Sequence, residues 1–416
     1  MANPKLRFKS AINDNIGWKQ VRLNELGVFI SGQTYNRSCV TNNESDVLII
    51  RSSNLQDLEY VDVCNDLQFV SIDIPSEKYL KENDVVICTA NGSTNLVGKA
   101  SIYDGSYHGL ISWGAFCSVF RSNNVLAKFF FRTPKYRTLI HAHKQGGNGS
   151  LGNLNVSAIS SEEIFFPEST NEQHKIAEFF TALDEKIQFL GKKLKLKHSL
   201  KHSMMDKVFT QKVRFKSDTS EPFKDWMALE LGSFCSFYAG QTPKSTCSDY
   251  YGGEINWVAS GDLNRGVIFN TEKTITNAGL NSANLKIIPK GSFVIALFGL
   301  EAENVCGNCG LLGIDAAINQ ACLNIRPNEE ILLTKYLFYY YQHFGKSFCK
   351  SNAQGTKQQN LNIELISQFA IKIPCIEEQR KICAFFDQIE KSILLLDRKL
   401  CCLKELKKAF MQRMFV

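Results

Sequence analysis

Internal repetition constrains this chain more than any other feature. Lys5-Leu6-Arg7-Phe8-Lys9-Ser10 recurs as Lys212-Val213-Arg214-Phe215-Lys216-Ser217, an offset of 212 − 5 = 207 positions. At nearly the same spacing Trp18 matches Trp226, Gly32-Gln33-Thr34 matches Gly240-Gln241-Thr242, and Val86-Ile87 matches Val294-Ile295. The register persists: Leu154-Asn155 pairs with Leu361-Asn362, Pro167 with Pro374, Glu172-Gln173 with Glu378-Gln379, and Phe179-Phe180 with Phe385-Phe386. At 416 residues the chain exceeds what a single core usually supports. The sequence predicts two copies of one unit.

Each copy follows the same plan. Short β-type runs broken by Gly and Asn come first, among them Asp84–Cys88 and Ser292–Ala296. Aromatic-rich helical stretches follow, then a Gly/Asn/Gln loop, an apolar strand ending in proline, and a long helix. In copy two, Ile382, Phe386, Ile389, Ile393, Leu396, Leu400, Leu403, Phe410 and Met414 fall on alternating four- and three-residue steps, interrupted only by Lys407. That is a heptad seam. Copy one begins alike with Ile176, Phe180, Leu183, Ile187, Leu190 and Leu194, then meets Lys197 and Lys201, where the stripe is expected to drift onto Leu196 and Leu200. Helices of about 36 to 40 residues would be roughly 55–60 Å long, too long for one small globule to stabilise. A pseudo-two-fold relation would pair them antiparallel with one globule at each end. The alternative folds each helix back on its own globule.

Composition excludes several classes. Hydrophobic residues make up 44% and charged residues 21%, with no acidic tail or low-complexity tract, so the chain should fold. The N-terminus lacks the apolar core of a secretory signal and no run suits a membrane span, which predicts a cytoplasmic protein. The 14 cysteines are irregularly spaced and read as reduced thiols. Cys306-Gly-Asn-Cys309 has no second ligand pair at zinc spacing, and His198 and His202 lack the glutamate of a zinc-protease helix. No metal and no cofactor are expected. Gly345-Lys346-Ser347 mimics the end of a phosphate-binding loop, but position 340 is tyrosine where glycine is required. No catalytic residues are identified.

A net charge of +7 is compatible with a polyanion partner without requiring one. Its distribution says more. Lys128-Phe-Phe-Phe-Arg132-Thr-Pro-Lys135-Tyr136-Arg137 continues through His141, His143 and Lys144 into a glycine-rich loop, and copy two answers with Lys346, Lys350 and Lys357. Cations neutralise phosphates, and glycine lets backbone N–H groups come close. Arg132, Lys135, Arg137, Lys144, Lys346, Lys350 and Lys357 are therefore candidate DNA contacts, with solvated helix faces as the alternative. Arg265 is a candidate at base edges.

These residues together resemble the type I restriction–modification DNA specificity subunits. The resemblance rests on the duplicated plan, the Trp and Gly-Gln-Thr opening of each copy, the Gly-Thr…Asn-Leu-Asn loop, and the Pro…Glu-Gln…Ile…Phe-Phe run that leads into each long helix. It covers nearly the whole chain, although copy one has Tyr35 where copy two has Pro243. The resemblance implies an α+β fold: two target-recognition domains, 17–168 and 225–374, separated by two antiparallel coiled-coil helices at 169–212 and 375–416, with an N-terminal extension (1–16) and a linker (213–224). It implies no catalysis by the chain itself. Double-stranded DNA, two methyltransferase subunits and restriction (translocase-endonuclease) subunits are the implied partners. The helix residues Ile176, Phe180, Ile187, Leu194, Ile382, Phe386, Ile393 and Leu400 would carry the docking. Two rival readings remain at this point: a coiled-coil scaffold without DNA binding, and a degenerate methyltransferase or nuclease.

Overall fold

The computed structural model describes residues 4–8, 17–56, 59–145, 152–263, 266–300, 306–352 and 358–415. Among them, four helices reach ten residues: α1 (Pro134–His143), α2 (Thr170–Phe209), α3 (Thr334–Asn352) and α4 (Ile376–Met414). The chain divides into two compact units, one made of residues 1–191 with 399–416 and the other of residues 192–398. The boundary thus falls inside both long helices. Each unit therefore includes part of both rods.

In unit 1 an antiparallel sheet runs in the order Val28–Ser31, Cys117–Arg121, Val85–Cys88, Ala100–Ile102. Its central strand is a continuous apolar run because both faces are covered. Val85 and Ile87 enter one core cluster with Phe129, Tyr136 and Ile140, while Val86 and Cys88 enter another with Trp113 and Leu48. This is the period-two alternation of a strand between two layers. A second sheet orders Val40–Thr41, Phe69–Val70, Val47–Ile50 and Ile111–Trp113, the last two parallel.

Unit 2 repeats the scheme. Phe293–Ala296 is its central strand, sending Phe293 and Ile295 toward α3 and Val294 and Ala296 toward a separate cluster with Val258 and Ile318. Tyr251–Val258 pairs parallel with Ala317–Ile318, as Val47–Ile50 does with Ile111–Trp113.

The repeated motifs turn out to build this frame. Arg7 donates to both carboxylate oxygens of Glu172 at 2.8 Å, and Trp18 Nε1 donates to the same carboxylate at 3.4 Å. In unit 2 Arg214 donates to Glu378 at 3.3 and 2.9 Å, and Trp226 Nε1 at 3.0 Å. Both glutamates are fully buried near the start of a rod, where the helix dipole also favours an anion. The next residue fixes the turn into the helix: Gln173 Nε2 donates to the Pro167 carbonyl at 2.7 Å and Gln379 Nε2 to that of Pro374 at 2.9 Å. Gly32 and Gly240 are required by close backbone packing, since a Cβ would lie 2.0 Å from the carbonyl oxygens of Gly114 and Ile318 respectively. Asn155 and Asn362 cap the short helices Val156–Ser160 and Ile363–Ser367. Glu378→Gln keeps the shape of one clasp and removes its charge. It should cost about 2 kcal/mol in urea unfolding, and a cost within about 0.5 kcal/mol of zero would mean that the clasp does not hold unit 2 together.

The rods form a seam within each unit. In unit 1, Ile176 and Phe180 of α2 pack in one cluster with Met411 and Met414 of α4, and Phe179 meets Phe410 edge-on. In unit 2, Ile382, Phe386, Ile389 and Ile393 of α4 share a core with Met205, Val208 and Phe209 of α2. The two helices run antiparallel in each pairing: position 180 lies by 415, 184 by 407, 201 by 390 and 209 by 386.

Two lysines that interrupt the heptads explain how the register is held. Lys407 Nζ pairs with Asp184 in unit 1, and Lys201 Nζ pairs with Glu390 in unit 2. These are the same positions of the repeat, 206 residues apart. The expected drift of the first seam does not occur. Lys201 stays on the inner side because a carboxylate and Gln342 Oε1 receive it, the latter at 2.8 Å, and Leu196 and Leu200 point outward. A polar pair at a seam position specifies alignment, which apolar packing alone leaves loose.

Candidate nucleic-acid interface

In unit 1, α1 begins at Pro134 behind an N-cap in which Thr133 accepts from the Tyr136 amide. Tyr136, Leu139 and Ile140 turn into the core, and Lys135, Arg137 and His141 turn outward. The helix packs on a turn at Gly98, whose φ is +85° and where a Cβ would lie 2.3 Å from Ile140. Tyr136 Oη donates to the Gly98 carbonyl at 3.0 Å, which locks turn to helix. Between them lies a depression of about 240 Å³, lined by Lys99, Arg137, His141 and Lys144 together with Asn95, Leu96, Val97 and Ile140. None of its lining residues is a carboxylate. His143 is occupied elsewhere, bonded to Glu162 at 2.6 Å.

Unit 2 repeats the junction. Gly307 has φ +74°, and a Cβ there would lie 2.8 Å from Cys349 Cβ on α3. Ile140 and Cys349 are thus equivalent, which aligns Arg137 with Lys346 and His141 with Lys350. Lys350 is exposed, and Lys346 is half-buried with Nζ donating to the Cys306 carbonyl at 3.2 Å. Gly345-Lys346-Ser347 lies inside α3 and forms no phosphate-binding loop.

Of the predicted DNA contacts, Lys135 and Arg137 are exposed and Lys144 is half-exposed on the strand Lys144–Gln145. Arg132 is a correction. Its side chain is only 2% exposed, bonded to Asp184 and set over the Tyr60 ring at 4.9 Å, so it serves the fold and is turned away from solvent. Burial, first of all, pushes the Tyr60 hydroxyl up to about 12. Arg265 and Lys357 lie outside the described residues. Lys99 escaped the sequence reading because its counterpart after the glycine turn is Asn308, so the repeat gave it no echo.

The helix positions assigned to docking need a similar correction. Ile176, Phe180, Ile382, Phe386 and Ile393 are buried in the chain's own units, and Ile187, Leu194 and Leu400 are half-buried. The seam periodicity marks the internal contact of the rods. The large apolar side chains that the rods leave exposed are Phe189, Leu196, Leu200, Leu394, Leu395 and Leu406. Among the described residues no group of three or more His, Cys, Asp or Glu could hold a metal, and no helix is long and apolar enough to cross a membrane. Cys306 Sγ meets Cys349 Sγ at 3.0 Å.

Two copies of one α+β frame, each presenting cations beside a glycine turn, define a duplicated fold. The chain belongs to the type I restriction modification DNA specificity domain family, whose sequence model matches residues 15–198 and 223–404. It is 24% identical over 240 residues to the EcoR124I/EcoR124II specificity subunit of Escherichia coli, covering 56% of this chain and 57% of that one. It is 26% identical over 189 residues to the MjaIX specificity subunit of Methanocaldococcus jannaschii, covering 44% and 42%. The chain therefore spans about half the length of these curated relatives. Among solved structures, the type I restriction-modification S subunit from M. genitalium superposes with a TM-score of 0.63 at 16% identity, covering 100% of this chain and 99% of that one. A chain from a study of type I restriction-modification complex assembly gives 0.53 at 18% identity, covering 95% and 96%. At these identities the structural likeness establishes the fold.

Proposed function

We propose that this chain is the non-catalytic DNA specificity subunit of a cytoplasmic type I restriction–modification complex. Each unit reads one part of a bipartite, asymmetric duplex sequence, and partner methyltransferase and restriction subunits carry out adenine methylation or cleavage there. The observation that carries the reading is the recurrence of a cationic helix face at equivalent positions of the two units, on a frame whose family is defined by DNA specificity. Lys99, Lys135, Arg137 and Lys144 would contact phosphates from unit 1, and Lys346 and Lys350 from unit 2, positioning the protein without reading bases. Base reading falls to segments that align poorly between the copies, 35–75 and 243–283. The exposed apolar side chains of the rods, Phe189, Leu196, Leu200, Leu394, Leu395 and Leu406, are the surface offered to the methyltransferase subunits.

The test is mapping of methylated adenines. The full chain with methyltransferase subunits and S-adenosylmethionine should methylate one bipartite site, and the chain alone should methylate none. Replacing 225–374 with the matching domain of a relative should change one half of the target. Methyl transfer by the isolated chain, or a change in both halves, would overturn the reading.

A further inference from the structure

Beneath its cationic face, unit 2 carries a feature that unit 1 lacks. Cys306 Sγ and Cys349 Sγ lie 3.0 Å apart, both side chains are buried in the unit's core, and both thiols are free. Cys306 stands on the turn just before Gly307, and Cys349 stands on α3 three residues after Lys346. At the matching places unit 1 has Val97 and Ile140, which cannot be oxidised in this way.

We propose that Cys306 and Cys349 form an oxidation site that a peroxide closes into a disulfide, and that closure withdraws Lys346 from DNA. The second half rests on the DNA-reading function proposed above; the first does not. Lys346 Nζ donates to the carbonyl of Cys306, and Lys346 and Cys349 are i, i+3 neighbours on one face of α3. A bond from Cys349 to Cys306 fixes that carbonyl against the lysine that donates to it, at the cost of a phosphate contact.

The pairing selects which of the two sulfurs is the nucleophile. The hydrogen bond between the two sulfurs holds Cys349 below the usual thiol range, and the Lys346 charge adds to the effect. The same hydrogen bond, with burial, pushes Cys306 up, so it remains the thiol partner. The thiolate is the nucleophile. Cys349 sulfur attacks one oxygen of hydrogen peroxide, the O–O bond breaks, and the departing hydroxide takes a proton to become water, leaving a sulfenic acid. Cys306 sulfur then attacks that sulfur, the S–O bond breaks, and a second water leaves with the Cys306 proton. Two thiols are oxidised to one disulfide and one peroxide is reduced to two waters. The sulfurs must approach by about 1 Å to reach the bond length of about 2.05 Å.

The full chain is treated with hydrogen peroxide, free thiols are alkylated, and the protein is digested without reductant for mass spectrometry. A peptide pair joining Cys306 to Cys349 that dithiothreitol abolishes is the expected result. Recovery of both cysteines alkylated, or each oxidised singly with no link, overturns the site. In parallel, the complex with methyltransferase subunits is titrated with its target duplex at several salt concentrations. Oxidation should flatten the log–log salt dependence by about one unit in wild type and leave Cys349→Ala unaffected. A linked protein with an unchanged slope overturns the withdrawal of Lys346. If the reduced complex binds no duplex, the DNA-reading function fails, and the peptide map still decides the thiol pair independently.

Discussion

Asp184→Ala should destabilise unit 1 by about 3–5 kcal/mol, the cost of breaking a buried ion pair from one side. The carboxylate is 2% exposed and receives Arg132, Lys407 and, at 3.2 Å, the Tyr60 hydroxyl. Removing it strands two cations in a site that has already shed its water. Burial and the Arg132 charge already hold Lys407 below the usual lysine range, a strain that Asp184 relieves. Lys407→Met should cost much less, because Arg132 still neutralises Asp184 and a methionine fills the seam. Urea unfolding of the three proteins checks the order. Equal losses for Asp184→Ala and Lys407→Met would show that Asp184 is not the hub.

The variant Lys99→Ala/Arg137→Ala/Lys144→Ala should lose much of its salt-dependent DNA binding while keeping its fold. If each side chain neutralises one phosphate, the log–log slope falls by 3 × 0.9, about 2.7. Raising salt from about 50 to 200 mM would then weaken the variant about 40-fold less than wild type. Loss of phosphate contacts weakens all sequences alike, so the methylated sequence itself should stay the same. Unaltered affinity and slope, with circular dichroism unchanged, would return these residues to the role of a solvated face.

Much of the fold was legible because the frame is written twice. Arg7, Trp18 and Glu172 are far apart in sequence, and only their echo as Arg214, Trp226 and Glu378 marked them; the structure shows why they persist together, as one clasp. The rods were legible from apolar spacing, which the helices Thr170–Phe209 and Ile376–Met414 carry. The site was less legible. A cationic residue looks the same in sequence whether it meets phosphate or a buried aspartate, so Arg132 was read as a contact although Asp184, 52 positions away, holds it. Lys201 and Lys407 were read as faults in a heptad for the same reason: their partners lie on the other rod. Hydrophobic periodicity, likewise, reports that a face is covered and leaves unsaid whether the cover is another protein or the chain's own second rod.

The composition of unit 1 from two distant pieces sets an order of events during synthesis. Asp184 emerges 407 − 184 = 223 residues before Lys407, and Glu59 precedes its partner Lys404 by 345. The segment made first is therefore finished last. Until residues 399–416 arrive, the nascent globule exposes the surfaces that Met411 and Met414 later cover. Unit 2 is built from the uninterrupted stretch 192–398, so all of its parts are present before that tail is translated. If unit 2 folds before that tail docks, closing unit 1 joins segments already connected through a folded body rather than through a loose loop of more than two hundred residues, which lowers the entropic cost of the search.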